Sequence, residues 1–319
     1  MHALVIHQES LHLKERPDPV PAQNEVLVAT NVAGINAADL LQRRGFYPAP
    51  PGWPVDVPGM ELSGRVSSVG ANVDPELVSR RVCAIVGGGA QATRCIVPVA
   101  HLIDVPVNVG MDQAGGFPEA FITAYDALVL QGKLRSGERL LISGASGGVG
   151  SAAVQIGHLL GAHVTAVTRT LEHHQELMDL GADEVISLEE VSSLAPVNVV
   201  LELVGAAHLS LAQNRLAPFA RIVVIGVAGG GSKVEINLIN VMGTRSTLTG
   251  STLRSRTNQE KAEVIRHVAE ALTGPWGNGE LRVPIAATFL LANADDAYAS
   301  FAQPGKFGKV LLLMPGDTT

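Results

Sequence analysis

The chain has 319 residues, 46% of them hydrophobic and 17% charged, a balance that is typical of folded domains and excludes a disordered chain. This length is too great for one compact core and predicts two domains. The formal net charge of -7 gives no global basic field, so nucleic acid is excluded as an expected partner.

The amino terminus, MHALVIHQES, lacks the basic cluster and long apolar core of a secretory signal. No apolar run reaches the roughly 18 residues that a membrane span needs, so no membrane partner is expected. The two cysteines, Cys83 and Cys95, are too few for a disulfide framework and fit a reducing compartment. We therefore expect a soluble, cytoplasmic protein.

The first third of the chain is turn-rich, with prolines crowded at residues 17–21 and 48–58. Short β-strands separated by turn residues predict a partly open barrel there. These strands are predicted at residues 3–6, 25–32, 63–69, 81–85 and 92–97.

From about residue 120, apolar strands alternate with helices, a pattern that predicts a parallel, doubly wound α/β sheet. The predicted strands are 139–143, 163–167, 184–187, 198–203 and 221–225, and the predicted helices are 121–130, 149–160 and 171–180. Strands at 248–252, 283–290 and 309–313 and helices at 258–272 and 295–301 complete the chain. These last elements are too few for a third domain. We therefore predict a dinucleotide-binding domain at 119–260, inserted into a mostly β domain of residues 1–118 and 261–319.

A glycine-rich turn, SGASGGVG, lies between the predicted strand 139–143 and the helix that follows it. It matches the dinucleotide fingerprint as A-x-G-x-x-G, with Ala145, Gly147 and Gly150 at the key positions. Gly147 would let the backbone approach a pyrophosphate, which the helix N-terminus attracts with free N–H groups and its dipole. Alone, such a string also fits an ordinary tight turn, but the strand before it and the helix after it predict dinucleotide binding.

The second strand of this unit ends in Thr168-Arg169-Thr170, where NAD enzymes usually carry an acidic residue for the ribose. Arg169 can instead offer a bidentate fork to a 2′-phosphate, with Thr168 or Thr170 adding a hydroxyl. A solvated arginine at a strand end is the alternative. The missing acid favours NADPH as the cofactor.

Six segments carry a family resemblance: residues 34–52, 58–70, 121–128, 141–157, 248–256 and 305–312. Through them the chain resembles the zinc-independent quinone oxidoreductases of the medium-chain dehydrogenase/reductase superfamily, the zeta-crystallin relatives. Segments 34–52 and 248–256 resemble the NADPH quinone oxidoreductase branch that a tumour suppressor induces in animals. The resemblance implies a Rossmann domain, a GroES-like catalytic domain and a homodimer joined by the edges of the nucleotide-domain sheets.

The resemblance also implies site residues. Asn36 and Tyr47 would be the catalytic residues, lining the site beside the nicotinamide and the substrate. The implied cofactor-binding residues are Asn36, Thr123, Ser146, Gly147, Gly148, Val149, Thr168, Arg169, Val204, Gly205, Ile225, Gly226, Leu253, Arg254, Phe307 and Lys309.

Zinc-dependent members of the superfamily place a Cys in the segment that here reads 34–39, and a His where Met60 precedes Glu61. Catalytic zinc needs three protein ligands, and Glu61 alone cannot build that site. With only two cysteines, a four-cysteine structural zinc lobe is also excluded. We therefore predict chemistry without a metal.

Without a Lewis acid the acceptor must itself be electrophilic, which favours quinones and α,β-unsaturated ketones. Tyr47 would donate a hydrogen bond to the developing oxyanion, with Asn36 as the second candidate. Three alternatives stay open: a reductase of enone or enoyl double bonds, an NADPH-binding protein with little turnover, and a zinc alcohol dehydrogenase.

Overall fold

The structure, a computed structural model, describes residues 1–169, 171–227, 229 and 231–315. Thr170, one of the two hydroxyls considered for a 2′-phosphate, lies outside the described residues. The chain separates into two compact units. We call residues 1–122 with 253–319 the flanking unit, and residues 123–252 the inserted unit. The predicted domain at 119–260 brackets the inserted unit, and its bounds stay a prediction.

The described residues form fifteen β-strands and eight α-helices, joined by short 3₁₀ turns. The strands are β1 (His2–His7), β2 (Ser10–Glu15), β3 (Glu25–Ile35), β4 (Glu61–Val69), β5 (Arg81–Ile85), β6 (Arg94–Pro98), β7 (Leu102–Asp104), β8 (Arg139–Ile142), β9 (His163–Val167), β10 (Glu184–Ile186), β11 (Val197–Glu202), β12 (Leu216–Val224), β13 (Thr247–Gly250), β14 (Ile285–Leu290) and β15 (Lys309–Leu313). The helices are α1 (Ala37–Arg43), α2 (Met111–Tyr125), α3 (Gly148–Leu159), α4 (His174–Asp179), α5 (Ala206–Ala212), α6 (Leu238–Thr244), α7 (Asn258–Gly277) and α8 (Ala294–Ala302).

The flanking unit is built on a seven-stranded sheet in the order β14-β15-β3-β4-β5-β7, with β6 also paired to β3. Strand β3 is its spine, because it pairs antiparallel with β4, β6 and β15. Its apolar residues are buried in the core of the unit together with β4, β5 and α8. This sheet brings the end of β3, the start of β4 and the start of β15 together, which positions the site described below.

Helix α2 begins ten residues before the predicted start at 121 and continues as a π-helical turn over Asp126–Gln131. The expected start was wrong because Gly115, Gly116 and Pro118 look like helix breakers in the sequence. The two glycines are instead packing residues. A Cβ on Gly115 would lie 2.6 Å from the Val32 side chain, and one on Gly116 would lie 2.9 Å from Val283.

The inserted unit is a six-stranded parallel sheet in the order β10-β9-β8-β11-β12-β13. In chain order within the unit this is 3-2-1-4-5-6, the arrangement of the Rossmann fold. The predicted fold class is confirmed. The order reverses between β8 and β11, so the crevice at the carboxyl ends of these two strands is where this fold binds ligands.

Helix α3 packs closely on β8, and glycines permit the approach. A Cβ on Gly150 would lie 2.7 Å from the Cα of Ala145, and one on Gly157 would lie 2.7 Å from the Leu140 side chain. Residues 150–157 of the helix are all buried. The first turn of α3 is thereby fixed at the crevice beside the end of β8.

Candidate functional site

The glycine turn presents unused donors at the start of α3. Gly147 is the N-cap, and the backbone N–H groups of Gly148, Val149 and Gly150 meet no acceptor among the described residues. The first N–H groups of a helix have no partner within the helix, and with the helix dipole they attract phosphate. Gly148 and Val149 are half-buried, so the turn can admit a ligand. These residues fit the pyrophosphate of a dinucleotide.

The end of β9 lies against the same turn. Ser146 Oγ and Thr168 Oγ1 are 2.7 Å apart, so the two predicted cofactor residues are joined by a hydrogen bond. The neighbouring Arg169 is exposed, and its guanidinium makes no hydrogen bond or ion pair within the described part of the chain. A guanidinium free of internal partners beside a nucleotide turn can receive a phosphate.

Thr123 is only 8% exposed, yet its hydroxyl Oγ1 has no hydrogen-bond partner among the described residues. Buried hydroxyls are nearly always paired, so an orphaned one indicates a missing ligand or water. This fits the predicted contact of Thr123 with the cofactor.

A buried carboxylate that the sequence analysis missed organises the ends of β8 and β11. Glu202, fully buried, accepts hydrogen bonds at Oε1 from Ser143 Oγ and from the backbone N–H groups of Val204 and Gly205, each at 2.8 Å. His208 Nδ1 lies 2.5 Å from Glu202 Oε2. Burial of Glu202 raises its pKa, but the hydrogen bonds from His208, the Gly205 N–H and Ser143 outweigh this effect. The pKa of Glu202 therefore lies below its usual range.

This network changes what the predicted residues after β11 can do. The N–H groups of Val204 and Gly205 are taken by Glu202, so a cofactor contact there would use the Val204 side chain rather than these donors. The N–H groups of Ile225 and Gly226, which follow β12, bond the backbone carbonyl of Glu202 at 2.9 and 3.3 Å. The structure thus ties both predicted loops to one residue.

In the flanking unit, Asn36 at the N-cap of α1 belongs to a buried ion-pair cluster. Lys309 Nζ lies 2.5 Å from Glu61 Oε1 and donates to Asn36 Oδ1 at 2.6 Å. Asn36 Nδ2 donates in turn to Glu61 Oε1 at 2.9 Å. A cation on one end of the amide and an anion on the other fix its orientation, which leaves one N–H of Nδ2 for a ligand. Gly34 permits the approach, since a Cβ there would lie 2.7 Å from Cδ of Glu61.

Asp39 locks the backbone around Asn36. Its Oδ2 accepts the Asn36 N–H at 2.8 Å, and its Oδ1 accepts the Gly59 N–H at 3.0 Å. Asp39 is fully buried, and burial raises the pKa of its carboxyl to about 6 despite these two bonds.

Arg254 holds the loop that carries Tyr47. Its guanidinium donates to the backbone oxygens of Tyr47 at 3.0 Å and Gly87 at 2.8 Å, and to Gln42 Oε1 at 2.5 Å. Its charge also lies 5.0 Å from the centre of the half-buried Tyr47 ring. Arg254 itself is 7% exposed. The observed contacts of Arg254 and of Lys309 are therefore with other residues of the protein. A contact of either residue with a cofactor stays a prediction.

Of the remaining predicted residues, Leu253 is buried beside Arg254 and Phe307 is half-buried just before β15. The structure thus collects Asn36, Lys309, Arg254 and Tyr47 in the flanking unit. The turn residues, Thr123 and Arg169 lie in the inserted unit.

Glu119 in α2 is a titratable residue that the sequence analysis also missed. Its backbone N–H donates to Glu61 Oε2 at 2.8 Å. Burial, together with the negative charge of Glu61, raises the pKa of the Glu119 carboxyl to about 7. Its sequence context, PEAFITAYDAL, gave no pattern beyond a helix.

No three His, Cys, Asp or Glu side chains within the described ranges are grouped so that they could hold a metal ion. Cys83 and Cys95 are free and buried, and burial raises the pKa of both thiols, that of Cys95 to about 12. The thiols are therefore protonated at neutral pH and unsuited to nucleophilic chemistry.

The chain matches two protein families that together cover both units. Residues 22–130 match the alcohol dehydrogenase GroES-like domain, and residues 148–270 match the zinc-binding dehydrogenase family. The chain belongs to the medium-chain dehydrogenase/reductase superfamily. It is a quinone-oxidoreductase-like oxidoreductase of this superfamily, because its similarity to quinone oxidoreductases runs along nearly the whole chain.

Human quinone oxidoreductase is 28% identical over 318 residues, which cover 95% of this chain and 94% of the human protein. A quinone oxidoreductase from Thermus thermophilus, solved alone and in complex with NADPH, is 28% identical with a TM-score of 0.85 and covers 98% of this chain and 100% of its own. Human synaptic vesicle membrane protein VAT-1 homolog-like is 27% identical over 340 residues, covering 97% of this chain and 81% of its own. In this chain, none of the described helices is both long enough and apolar enough to cross a membrane.

Proposed function

We propose that the protein transfers a hydride from NADPH to a quinone without a metal ion. The observation that carries the proposal is the start of α3, where three backbone N–H groups have no acceptor within the described residues and the helix begins at the switch point of the sheet. A quinone oxidoreductase relative solved with NADPH supports the same cofactor. Bound NADPH would supply the hydride, and the protein residues would bind, orient and stabilise charge.

The choice of NADPH over NADH rests on Arg169. The side chain is exposed and makes no hydrogen bond or ion pair within the described residues, and the three residues directly after β9, 168–170, include no carboxylate to accept the ribose hydroxyls. Thr168, joined to Ser146, would fix the backbone beside it. The orphaned hydroxyl of Thr123 would add one contact on the nicotinamide side.

The acceptor would be held in the flanking unit by Asn36 and Tyr47. The remaining N–H of Asn36 Nδ2 is a fixed donor for an oxygen that gains negative charge, because Glu61 and Lys309 prevent the amide from turning. Preorganised donors of this kind stabilise a developing oxyanion by about 3 kcal/mol. Arg254 holds the Tyr47 loop, so the tyrosine can orient the acceptor or donate a second hydrogen bond.

Metal independence is supported by the charge at Glu61. The carboxylate that could have joined a metal site is already neutralised by the Lys309 ammonium, 2.5 Å away. A divalent cation at the same oxygen would have to displace that ammonium, with Asn36 and Met60 as poor replacements for thiolate and imidazole ligands.

The test is NADPH oxidation, followed at 340 nm with EDTA-treated protein, against 1,4-benzoquinone, 9,10-phenanthrenequinone and a panel of alkenals. We expect saturable oxidation with the quinones and a preference for NADPH over NADH. Turnover of the alkenals alone would assign the enone reductase, and tight NADPH binding with no turnover would assign a cofactor-binding protein. Stoichiometric zinc together with alcohol oxidation would overturn the proposal in favour of a zinc alcohol dehydrogenase.

We also propose that two copies of the chain pair through the inserted unit. Strand β13 lies at the sheet edge, all its residues are exposed, and β12 is its only partner strand among the described residues. The nearby helix α6 exposes Leu238, Ile239 and Met242 by 69%, 81% and 76%. A free strand edge beside exposed apolar side chains supports an interface between copies. Sedimentation should give twice the mass of the chain, and Ile239→Glu should give the monomer; a monomeric wild type would contradict this.

A further inference from the structure

The product of hydride transfer to a quinone is an oxyanion that must gain a proton. Three carboxyl groups lie in the cluster around Asn36, namely Asp39, Glu61 and Glu119. Asp39 and Glu61 are fully buried, and every carboxylate oxygen in them already accepts a hydrogen bond or pairs with Lys309. Neither can exchange a proton with a ligand without breaking the cluster.

Glu119 differs from both. Its backbone N–H donates to Glu61 Oε2 at 2.8 Å, which places the residue beside the Asn36, Glu61 and Lys309 cluster. The residue is half-buried, and its carboxyl group makes no hydrogen bond or ion pair within the described residues. It therefore has both contact with solvent and an unused proton-binding group.

From this geometry we infer that Glu119 is a catalytic residue, the acid that protonates the reduced acceptor. The inference rests on the proposed function, which supplies the hydride and the quinone. The Glu119 O–H bond breaks as a new O–H bond forms on the acceptor oxygen that carries the negative charge. The two electrons reach the acceptor with the hydride, and the Glu119 carboxylate regains a proton from solvent.

The charges around Glu119 keep it protonated where the reaction needs an acid. Burial and the carboxylates of Glu61 on β4 and Asp39 on α1 raise its pKa, while Lys309 on β15 and Arg254 lower it, with a balance at about 7. Lys309 and Glu61 are paired with each other, so their opposite effects on the pKa of Glu119 partly cancel, and burial is the largest cause of its raised value. A carboxylic acid with a pKa near 7 is suited to general acid catalysis at neutral pH.

A further cation faces this group. Lys261 on α7 is 2% exposed, and burial lowers its pKa while the charge of Glu119 raises it. Once Glu119 has released its proton, this ammonium and Arg254 stabilise the carboxylate, so the transfer leaves no isolated charge.

The test compares wild type with Glu119→Gln, which keeps the size of the side chain but cannot donate a carboxyl proton, and with the exposed-site control Glu263→Gln. For each protein, kcat for 9,10-phenanthrenequinone is measured between pH 5.5 and 9 in water and in heavy water. We expect wild-type kcat to be level below pH 7 and to fall about tenfold per unit well above it, with a solvent isotope effect. Glu119→Gln should lower kcat about 100-fold, remove the pH dependence and leave the NADPH dissociation constant within twofold.

A Glu119→Gln enzyme within threefold of wild type, with the same pH profile, would overturn the inference. Tryptophan fluorescence and NADPH titration show whether the variant is folded, and the wild-type pH profile tests the inference independently, since level kcat across pH 7 also contradicts it. A wild type that oxidises NADPH with no quinone contradicts the proposed function instead, so the two failures are distinguishable.

Discussion

Replacement of Lys309 by Met tests the buried cluster that orients Asn36. Lys309 and Glu61 have side chains 4% and 0% exposed, so the substitution leaves a buried carboxylate without its counter-charge. Breaking a buried pair from one side costs about 3–5 kcal/mol. Glu61 keeps its hydrogen bonds from Asn36 and Glu119, which places the expected loss near the lower end, at about 3 kcal/mol.

The assay is urea unfolding followed by tryptophan fluorescence. Both tryptophans of the chain, Trp53 and Trp276, lie in the flanking unit, so the signal reports the unit that contains the cluster. The double variant with Glu61→Gln should recover most of the loss, because a neutral amide replaces the stranded charge. A Lys309→Met protein destabilised by less than about 1 kcal/mol, or a double variant no better than the single one, would refute the reasoning.

Three further predictions concern the cofactor site and the pH dependence of stability. Arg169→Glu should lower the ratio of kcat/KM for NADPH over NADH about 100-fold, because the charge-assisted bonds to the 2′-phosphate are lost; an unchanged ratio in steady-state kinetics would contradict the role. Gly150→Ala should weaken NADPH binding at least about tenfold in a fluorescence titration, because the added Cβ lies 2.7 Å from Ala145 Cα, whereas Gly274→Ala, with open space around it, should bind normally. The folded-state pKa of Asp39, about 6, lies above its unfolded value, so between about pH 4 and 6 the folded state holds a proton that the unfolded state has released. The free energy of unfolding therefore falls as pH rises through this window. Between pH 4 and 7, wild type should therefore lose about 2 kcal/mol relative to Asp39→Asn in urea unfolding, and parallel curves would contradict this.

Much of the fold was predictable because apolar strands carry a strong signal. The predicted strands 81–85, 163–167 and 309–313 have the observed bounds, and the glycine turn lies between β8 and α3 as predicted. The buried strands of a parallel sheet read as continuous apolar runs, so their place in the chain follows directly from the sequence.

Short or glycine-containing elements were not predictable in the same way. Helix α1 has seven residues and α5 has seven, too few for a helical period to stand out. Glycines 115 and 116 make the start of α2 look like a turn, although tertiary packing against Val32 and Val283 requires them within the helix.

The candidate site was predictable where a local motif exists, as for Gly147 or Arg169. Glu202 and Glu119 were missed because their roles come from contacts between residues far apart in the chain, such as Glu202 with Ser143 and Glu119 with Glu61. A single acidic residue at a strand end or inside a helix forms no sequence pattern from which such a contact could be predicted. In the same way, the contact of Lys309 with Asn36 depends on the pairing of β15 with β3, which the local sequence does not specify.

The central claim is metal-free hydride transfer from NADPH. The effect of deuterium at the transferred position on the rate of NADPH oxidation tests this claim most directly. EDTA-treated protein is mixed with NADPH deuterated at the transferred C4 position and 9,10-phenanthrenequinone, and oxidation is followed under single-turnover conditions. The account predicts oxidation that is slowed at least about twofold by the deuterium and is unchanged when zinc is added. No oxidation by any quinone, or oxidation that appears only after zinc is restored, would contradict it.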